Sequence, residues 1–189
     1  AADVNGLLDA KADAALVDTN VLWHALQYAA TFGFTVWLRP QDAHLAKGGV
    51  AHDGEVASRL GLPAIPASAE TIAIATILTL MRDTGARVHL CRLSTRAGIE
   101  LVRAAKVEGL PVTCDIAIHH AHLSETDIGY FDANCHLIPP LRSSRDRDAL
   151  RQGLLDGAVD AVCSDHAPVD DDAKLLPFGE SEAGATGLE

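Results

Sequence analysis

Residues 87–118, RVHLCRLSTRAGIELVRAAKVEGLPVTCDIAI, contain two apolar, β-rich runs on either side of a helical stretch. The pattern predicts a strand over 87–94, a helix over 96–108 that is closed by Gly109, and a second strand over 111–118. Strands that are separated by a helix of ten or more residues are typical of a βαβ unit, in which the two strands run parallel. This segment therefore predicts an α/β fold with a parallel sheet.

The same alternation continues on both sides of this segment. Upstream, the sequence predicts a helix over 21–30 that is capped around Asp18 and stopped by Gly33, a strand over 35–39, a loop over 40–54, a short helix ending near Leu60 and a helix from Ser68 to Gly85. Downstream, it predicts a helix over 145–155 and a last strand over 161–164. About four strands are therefore expected.

Polar residues follow the predicted strands where each strand ends. They are Arg39, Arg92 to Ser94, His119-His120 and Asp165-His166. A doubly wound sheet and a (β/α)8 TIM-type barrel both fit the alternation, but barrels place their sites at the C-terminal strand ends. No Gly-rich phosphate loop follows the first strand, which disfavours a dinucleotide-binding fold. We therefore predict a barrel.

Four βα units make only half of such a barrel and leave sheet edges open. Residues 1–189 are thus expected to form a single, incomplete barrel domain. Either the chain is a fragment of a longer polypeptide or the remaining strands come from elsewhere, and its ending at 187–189 without a closing helix favours a fragment.

The composition restricts the class of protein. The 189 residues are 48% hydrophobic and carry a formal net charge of −11, which fits one globular domain and argues against disorder. No apolar run is long enough for a membrane span, no signal peptide is recognised, and no Lys/Arg cluster suits nucleic acid. Four cysteines without a CxxC pair are expected to be reduced core thiols of a cytoplasmic protein, and only Cys91, beside Arg92, approaches the setting of a low-pKa thiol.

Three histidines at 119, 120 and 122 are the first candidates for chemistry. On an extended segment, neighbouring side chains point to opposite faces, so at most His120 and His122 would share a metal ion; otherwise these are hydrogen-bonded loop histidines. Asp165 is the stronger candidate, because a carboxylate that leaves a buried strand needs a metal, a cation or a role as a base.

Two arginines, Arg39 and Arg92, stand at equivalent strand ends. Either they bind an anionic substrate, or they pair with Asp165, or they are structural cations. If both project into the barrel mouth, Asp165 should lie within hydrogen-bond reach of at least one guanidinium. Three further carboxylates are candidates for the same network: Asp42, Glu70 and Asp115.

Several short motifs together resemble dihydroorotases, members of the amidohydrolase superfamily. The matching stretches are GGVAHDG at 48–54, GLPAIP at 61–66 with Glu70, VHLCRLST at 88–95, GLPVT at 109–113, HH at 119–120, PPLR at 139–142, SDHAP at 164–168, PFG at 177–179 and GLE at 187–189. The resemblance implies the second half of an amidohydrolase barrel. It also implies a substrate loop at Pro177, Phe178 and Gly179.

The departures from the family pattern concern its metal and substrate positions. By resemblance, Arg39 and Arg92 stand where active enzymes have zinc-ligating histidines, Ile138 replaces a substrate-contacting Asn and Val169 replaces a His, whereas Asp165 keeps the family's catalytic aspartate. Arginine has no lone pair for a metal, and it repels a dication by roughly 4 kcal/mol per unit charge at about 4 Å for an effective dielectric near 20. We therefore expect a vestigial site, with no zinc and no other cofactor.

This pattern resembles the noncatalytic dihydroorotase-like subunit that accompanies aspartate carbamoyltransferase in some bacteria. The resemblance implies a cytoplasmic pseudoenzyme of pyrimidine biosynthesis that supports assembly of the transferase in an oligomer, without nucleic-acid or membrane partners. The alternative is an active, zinc-dependent dihydroorotase that closes N-carbamoyl-L-aspartate with ligands from regions absent here. A hydantoinase or allantoinase is a third reading, although it would also need the replaced histidines.

Overall fold

The computed structural model describes residues 18–187, which alternate between helices and short strands. The helices are α1 (Thr19–Phe32), α2 (Ala43–Ala46), α3 (Glu55–Leu60), α4 (Ser68–Thr84), α5 (Arg96–Glu108), α6 (Ile118–His122), α7 (Ser144–Leu155) and α8 (Asp171–Lys174). The strands are β1 (Thr35–Leu38), β2 (Ala51–His52), β3 (Ala64–Ile65), β4 (Arg87–Leu90), β5 (Val112–Ala117) and β6 (Ala161–Cys163). Residues 1–17, 188 and 189, which include the last two residues of the GLE motif, lie outside the described residues.

Four of these strands form one parallel sheet in the order β1-β4-β5-β6. Helices α4, α5 and α7 lie in the connections between neighbouring strands, so that the C-terminal ends of all four strands meet at one edge. β2 and β3 form a separate two-stranded parallel pair. The predicted α/β fold, with its parallel sheet and four main strands, is therefore confirmed.

The two faces of the four-stranded sheet differ in chemistry. Its helix face carries Val36, Leu38, Val88, Leu90, Val112, Cys114 and Ile116, which pack with α1, α4, α5 and α7 into the main hydrophobic core. The opposite face, called the inner face below, carries Trp37, His89, Thr113, Asp115 and Cys163, as the register of the strands requires. Trp37 is 60% exposed there. Polar and ligating side chains thus collect on the inner face.

A second, smaller core lies beneath β2, β3 and α3. It contains Ala51, Val56, Ile128, Leu137, Leu141 and Phe178. Through this core the segment after α6 is attached to the connection between β1 and α4. No helix within residues 18–187 is long and apolar enough to cross a bilayer.

Two local predictions need correction, and one local feature was not predicted. Residues 118–122 form α6 and do not continue the strand or a loop. β4 ends at Leu90 because Arg92 adopts a positive φ of 57°, which breaks the extended backbone. The β2–β3 pair was not predicted, since two-residue strands carry no periodic signal.

Candidate functional site

An ion pair joins the ends of β4 and β6 at the C-terminal edge of the sheet. Arg92 Nη1 donates to Asp165 Oδ1 over 2.7 Å. The side chains are 31% and 15% exposed, respectively, so water reaches the arginine more than the carboxylate. The expected contact between Asp165 and a guanidinium is confirmed for Arg92.

Both partners of this ion pair have left-handed backbones, with φ of 57° at Arg92 and 46° at Asp165. Such conformations are uncommon for residues other than glycine and typically cost of order 1 kcal/mol or more. The unusual backbone accompanies the turn from the strand into the loop at each of the two positions. Arg39, which follows β1, is half-buried near the same edge.

Asp115 fastens the loop of Arg92 to β5. Its Oδ1 accepts a hydrogen bond of 2.7 Å from the Arg92 backbone N–H, and its Oδ2 lies 2.9 Å from His89 Nε2. His89 Nδ1 lies 2.7 Å from Thr113 Oγ1. Asp115 therefore belongs to the network around Arg92, as the sequence suggested, whereas the part played by His89 was missed.

Cysteine thiols border this network but are not activated by it. Burial, followed by the charge of Asp115, raises the pKa of Cys91 to about 11, although Arg92 acts in the opposite direction. Burial and the same carboxylate raise the pKa of Cys163 to about 12. Cys91 is therefore not a low-pKa thiol, because desolvation outweighs its basic neighbour. All four cysteines are free thiols, of which Cys114 and Cys135 are buried.

Glu70 holds the continuation of the Arg92 loop through four hydrogen bonds. Its Oε2 accepts from the Ser94 backbone N–H at 2.9 Å and from Ser94 Oγ at 2.6 Å. Its Oε1 accepts from the Thr95 backbone N–H at 3.0 Å and from Thr95 Oγ1 at 2.6 Å. The suggestion that Glu70 joins the arginine–aspartate network is thus wrong, because its carboxylate is fully used by this turn.

Asp42 was also placed wrongly. Its carboxylate caps α2 by accepting from the backbone N–H groups of His44 and Leu45 at 3.0 and 2.9 Å. The helix N-terminus satisfies this carboxylate locally, as is usual for an N-cap aspartate.

Arg142 of the PPLR motif is a buried cation that was not predicted as a site residue. It is 3% exposed and donates to Ser94 Oγ at 3.1 Å and to the Ile65 carbonyl at 2.7 Å, and its Nη1 lies 3.2 Å from His52 Nδ1. Burial lowers the pKa of its guanidinium. The arginine links the β2–β3 pair to the loop after β4, so its role is to position the loops at the sheet edge. An arginine directly after the apolar stretch at 139–141 was the signal available in the sequence.

The histidines that follow β5 do not form a metal site. His120 is buried, with Nε2 3.0 and 3.2 Å from the carbonyls of Pro139 and Pro140, and burial lowers its pKa to about 4. His122 is exposed, and residues two apart on a helix do not face each other. The suggestion that His120 and His122 share an ion is therefore wrong. Within residues 18–187, His119 Nε2 and His120 Nδ1 are buried without a hydrogen-bond partner.

The remaining predicted site residues lie in loops. Ile138 and Val169 are half-buried, and Pro177 and Gly179 are exposed. Phe178 is buried in the second core, where its ring lies 5.1 Å from that of His136. Its side chain therefore anchors the 177–179 loop.

Comparison with known proteins shows which family the chain resembles. The family model described as Dihydro-orotase-like matches residues 11–98. A protein of Pseudomonas aeruginosa named "Dihydroorotase-like protein" is 46% identical over 169 residues, which make up 89% of this chain and 40% of that protein. A protein of Pelotomaculum thermopropionicum named "Dihydroorotase" is 38% identical over 174 residues, or 92% of this chain and 41% of that protein. Over most of its length the chain therefore resembles dihydroorotases and dihydroorotase-like proteins.

Solved structures agree on the fold. The L-hydantoinase of Arthrobacter aurescens superimposes with a TM-score of 0.78 at 24% identity, covering 92% of this chain and 40% of the hydantoinase. The dihydroorotase of Saccharomyces cerevisiae gives a TM-score of 0.68 at 17% identity, covering 89% and 45% of the two chains. The dihydroorotase-like chain thus has the fold of part of an amidohydrolase barrel. It spans about 40% of the length of the curated relatives it matches.

Zinc, which the family resemblance implies for active enzymes, does not fit the residues at this barrel mouth. Arg92 fills the space beside Asp165 with a guanidinium that donates protons and offers no lone pair. Oδ1 of Asp165, the aspartate that the family pattern retains, already accepts a hydrogen bond from this guanidinium. The donor set of this dihydroorotase-like chain is therefore unsuited to a divalent metal at that position.

Proposed function

We propose that this chain is part of a noncatalytic dihydroorotase-like protein that serves pyrimidine biosynthesis as a structural partner of aspartate carbamoyltransferase. One observation carries the proposal: the guanidinium of Arg92 is hydrogen-bonded to Asp165 where the family resemblance places the catalytic metal. A cation that is always protonated, at 2.7 Å from the retained aspartate, substitutes for the metal electrostatically. The pair holds two strand ends together without supplying a hydroxide for attack on an amide.

The name of the Pseudomonas aeruginosa relative supports this proposal, because it is described as like a dihydroorotase. The relative from Pelotomaculum thermopropionicum is named as the enzyme itself, which favours a second candidate, an active dihydroorotase. The two candidates differ at one chemical point. The enzyme needs a metal-bound nucleophile beside Asp165, whereas the structural partner needs only the ion pair.

The first experiment measures activity in the full-length protein. We expect no conversion between N-carbamoyl-L-aspartate and dihydroorotate above the rate without protein, in either direction. The double substitution Arg39→His with Arg92→His should not restore turnover, because Ile138 and Val169 also depart from the family pattern. Turnover by the unmodified protein that is lost on Asp165→Asn would establish the enzyme instead.

The second experiment tests the partnership. The full-length protein is expressed with and without the aspartate carbamoyltransferase of the same organism, and the two are analysed by size-exclusion chromatography with light scattering. We expect one complex of defined mass and a higher melting temperature of the transferase within it. Separate elution with an unchanged transferase would contradict the assembly role while leaving the activity result intact.

A further inference from the structure

Three ligating side chains of different types converge on the inner face of the sheet, one layer below the Arg92–Asp165 pair. The imidazole of His89, the thiol of Cys91 and the carboxylate of Asp115 place one ligand atom each within 4.8 Å of the other two. Among residues 18–187, these form the group of three or more His, Cys, Asp or Glu side chains whose ligand atoms all lie within 4.8 Å of one another. His89 and Asp115 are buried, and Cys91 is half-buried.

We propose that His89, Cys91 and Asp115 bind a divalent transition metal of the zinc type. Nitrogen, sulfur and oxygen donors of this kind are those that Zn²⁺ takes in proteins, with bonds of about 2.0–2.3 Å. Tetrahedral bonds of that length separate ligand atoms by about 3.3–3.6 Å. His89 Nε2 and Asp115 Oδ2 are already 2.9 Å apart, so a small outward movement makes room for the ion.

Surrounding hydrogen bonds orient two of the three ligands, as they do in metal sites. Thr113 Oγ1 lies 2.7 Å from His89 Nδ1 and leaves Nε2 aimed at Asp115. A hydroxyl both donates and accepts, so Thr113 fits the tautomer in which Nε2 carries the lone pair for a metal. The Arg92 backbone N–H holds Oδ1 of Asp115 and leaves Oδ2 for the ion.

Charge balance also favours a dication at this place. The Cys91 thiolate and the Asp115 carboxylate together carry two negative charges, which a divalent ion neutralises. Binding releases the Cys91 thiol proton to solvent and breaks the hydrogen bond between His89 and Asp115. The nearby guanidinium of Arg92 is paired with Asp165, so these two charges offset each other.

The site differs from the vestigial one in its residues, and this difference makes it testable independently of the proposed function. A metal held here would be lost on Cys91→Ser and retained, with weaker affinity, on Asp165→Asn. A metal held at the barrel mouth would show the reverse dependence.

Cobalt is the probe, because a Co²⁺–thiolate bond absorbs in the near ultraviolet. Chelator-treated full-length protein is titrated with Co²⁺, and zinc content is measured by elemental analysis before treatment. We expect one equivalent of Co²⁺ with a thiolate charge-transfer band, absent in Cys91→Ser. Thr113→Val should weaken binding 10–100-fold, the usual effect of removing a group that orients a ligand.

Cys135→Ser is the matched control, since Cys135 is a buried thiol in the second core. This variant should keep the band and its stoichiometry. Asp165→Asn should keep the same band at saturating Co²⁺ but with weaker affinity, because Arg92 loses the partner that offsets its charge. Native protein that gives no thiolate band overturns the proposal without any variant being needed. A band that survives Cys91→Ser, or that cannot be reached in Asp165→Asn at saturating Co²⁺, overturns it as well.

Discussion

The Glu70→Gln substitution tests how the loop that carries Arg92 is held in place. Glu70 is 3% exposed, and its two oxygens accept four hydrogen bonds of 2.6–3.0 Å from Ser94 and Thr95. Glutamine has nearly the same shape, so it creates no cavity. It replaces one accepting oxygen with an NH₂ group that can only donate.

The expected loss follows from the geometry of these four bonds. The hydroxyl that faces the new NH₂ group can rotate and accept a hydrogen bond from it. The backbone N–H beside that hydroxyl can only donate, so it loses its acceptor. One buried N–H left without an acceptor costs about 1–3 kcal/mol. The two bonds to the remaining oxygen lose their charge assistance, which adds of order 1 kcal/mol. We therefore expect the local free energy of opening to fall by about 3 kcal/mol.

Hydrogen exchange of the full-length protein measures this quantity directly. A loss of about 3 kcal/mol corresponds to roughly a hundredfold faster exchange of the Ser94 and Thr95 amides, since about 1.4 kcal/mol is a factor of ten. The matched control is Glu100→Gln on α5, because the Glu100 side chain is 61% exposed and lies 3.5 Å from Arg103. Such a surface change should stay within about 0.5 kcal/mol. Equal exchange in the two variants would refute the role assigned to Glu70.

Three further outcomes are expected in the full-length protein. Asp165→Ala should lower the free energy of unfolding, measured by urea denaturation, by about 2 kcal/mol. This value lies between those for buried and surface ion pairs, because Arg92 is partly exposed. The control Asp148→Ala, at an exposed ion pair, should change the free energy of unfolding little. Burial lowers the pKa of His120 from 6.5 to about 4, so the unfolded chain binds this proton before the folded chain does, and the free energy of unfolding falls by about 3 kcal/mol as pH drops from about 6.5 to 4. His120→Gln should remove this part of the pH dependence, whereas the control substitution of the exposed His122, His122→Gln, should leave it unchanged. An unchanged pH dependence in His120→Gln would contradict the assignment. Gly98→Ala should lower stability by about 1–3 kcal/mol, although alanine ordinarily favours a helix, because the added Cβ collides with Glu70 Oε1; a higher melting temperature would show that Glu70 moves freely.

The sheet was predictable because its sequence signals are local. Each main strand is an apolar run bounded by a glycine or a proline, and α1, α4 and α5 end at glycines with positive φ (Gly33, Gly85 and Gly109), where the absence of a Cβ permits the left-handed turn. The contact between Arg92 and Asp165 was also accessible, since parallel strands bring their C-terminal ends to the same edge. These inferences need only the order of elements along the chain.

The contacts of the buried polar residues were not predictable, because they depend on which loops meet. Glu70 and Asp42 are both carboxylates near strand ends, yet one binds a turn 24 residues away and the other caps its own helix. His89 was read as part of an apolar strand, and only the register with β5 places it against Asp115. Arg142 reaches Ile65, which is 77 residues distant in the chain. Such pairings are decided by packing, and the spacing of residues within one segment does not contain them.

Under the proposed function, the left-handed backbone at Arg92 bears on how the site changed from a metal site to an ion pair. Histidine is among the non-glycine residues enriched in that conformation. Histidine is also what the family resemblance places at this position. The polypeptide therefore keeps a shape that suits the replaced residue while the side chain has changed its chemistry. At this barrel mouth the backbone conformation therefore suits both residues, and a substitution of Arg92 by histidine would require no change in the turn.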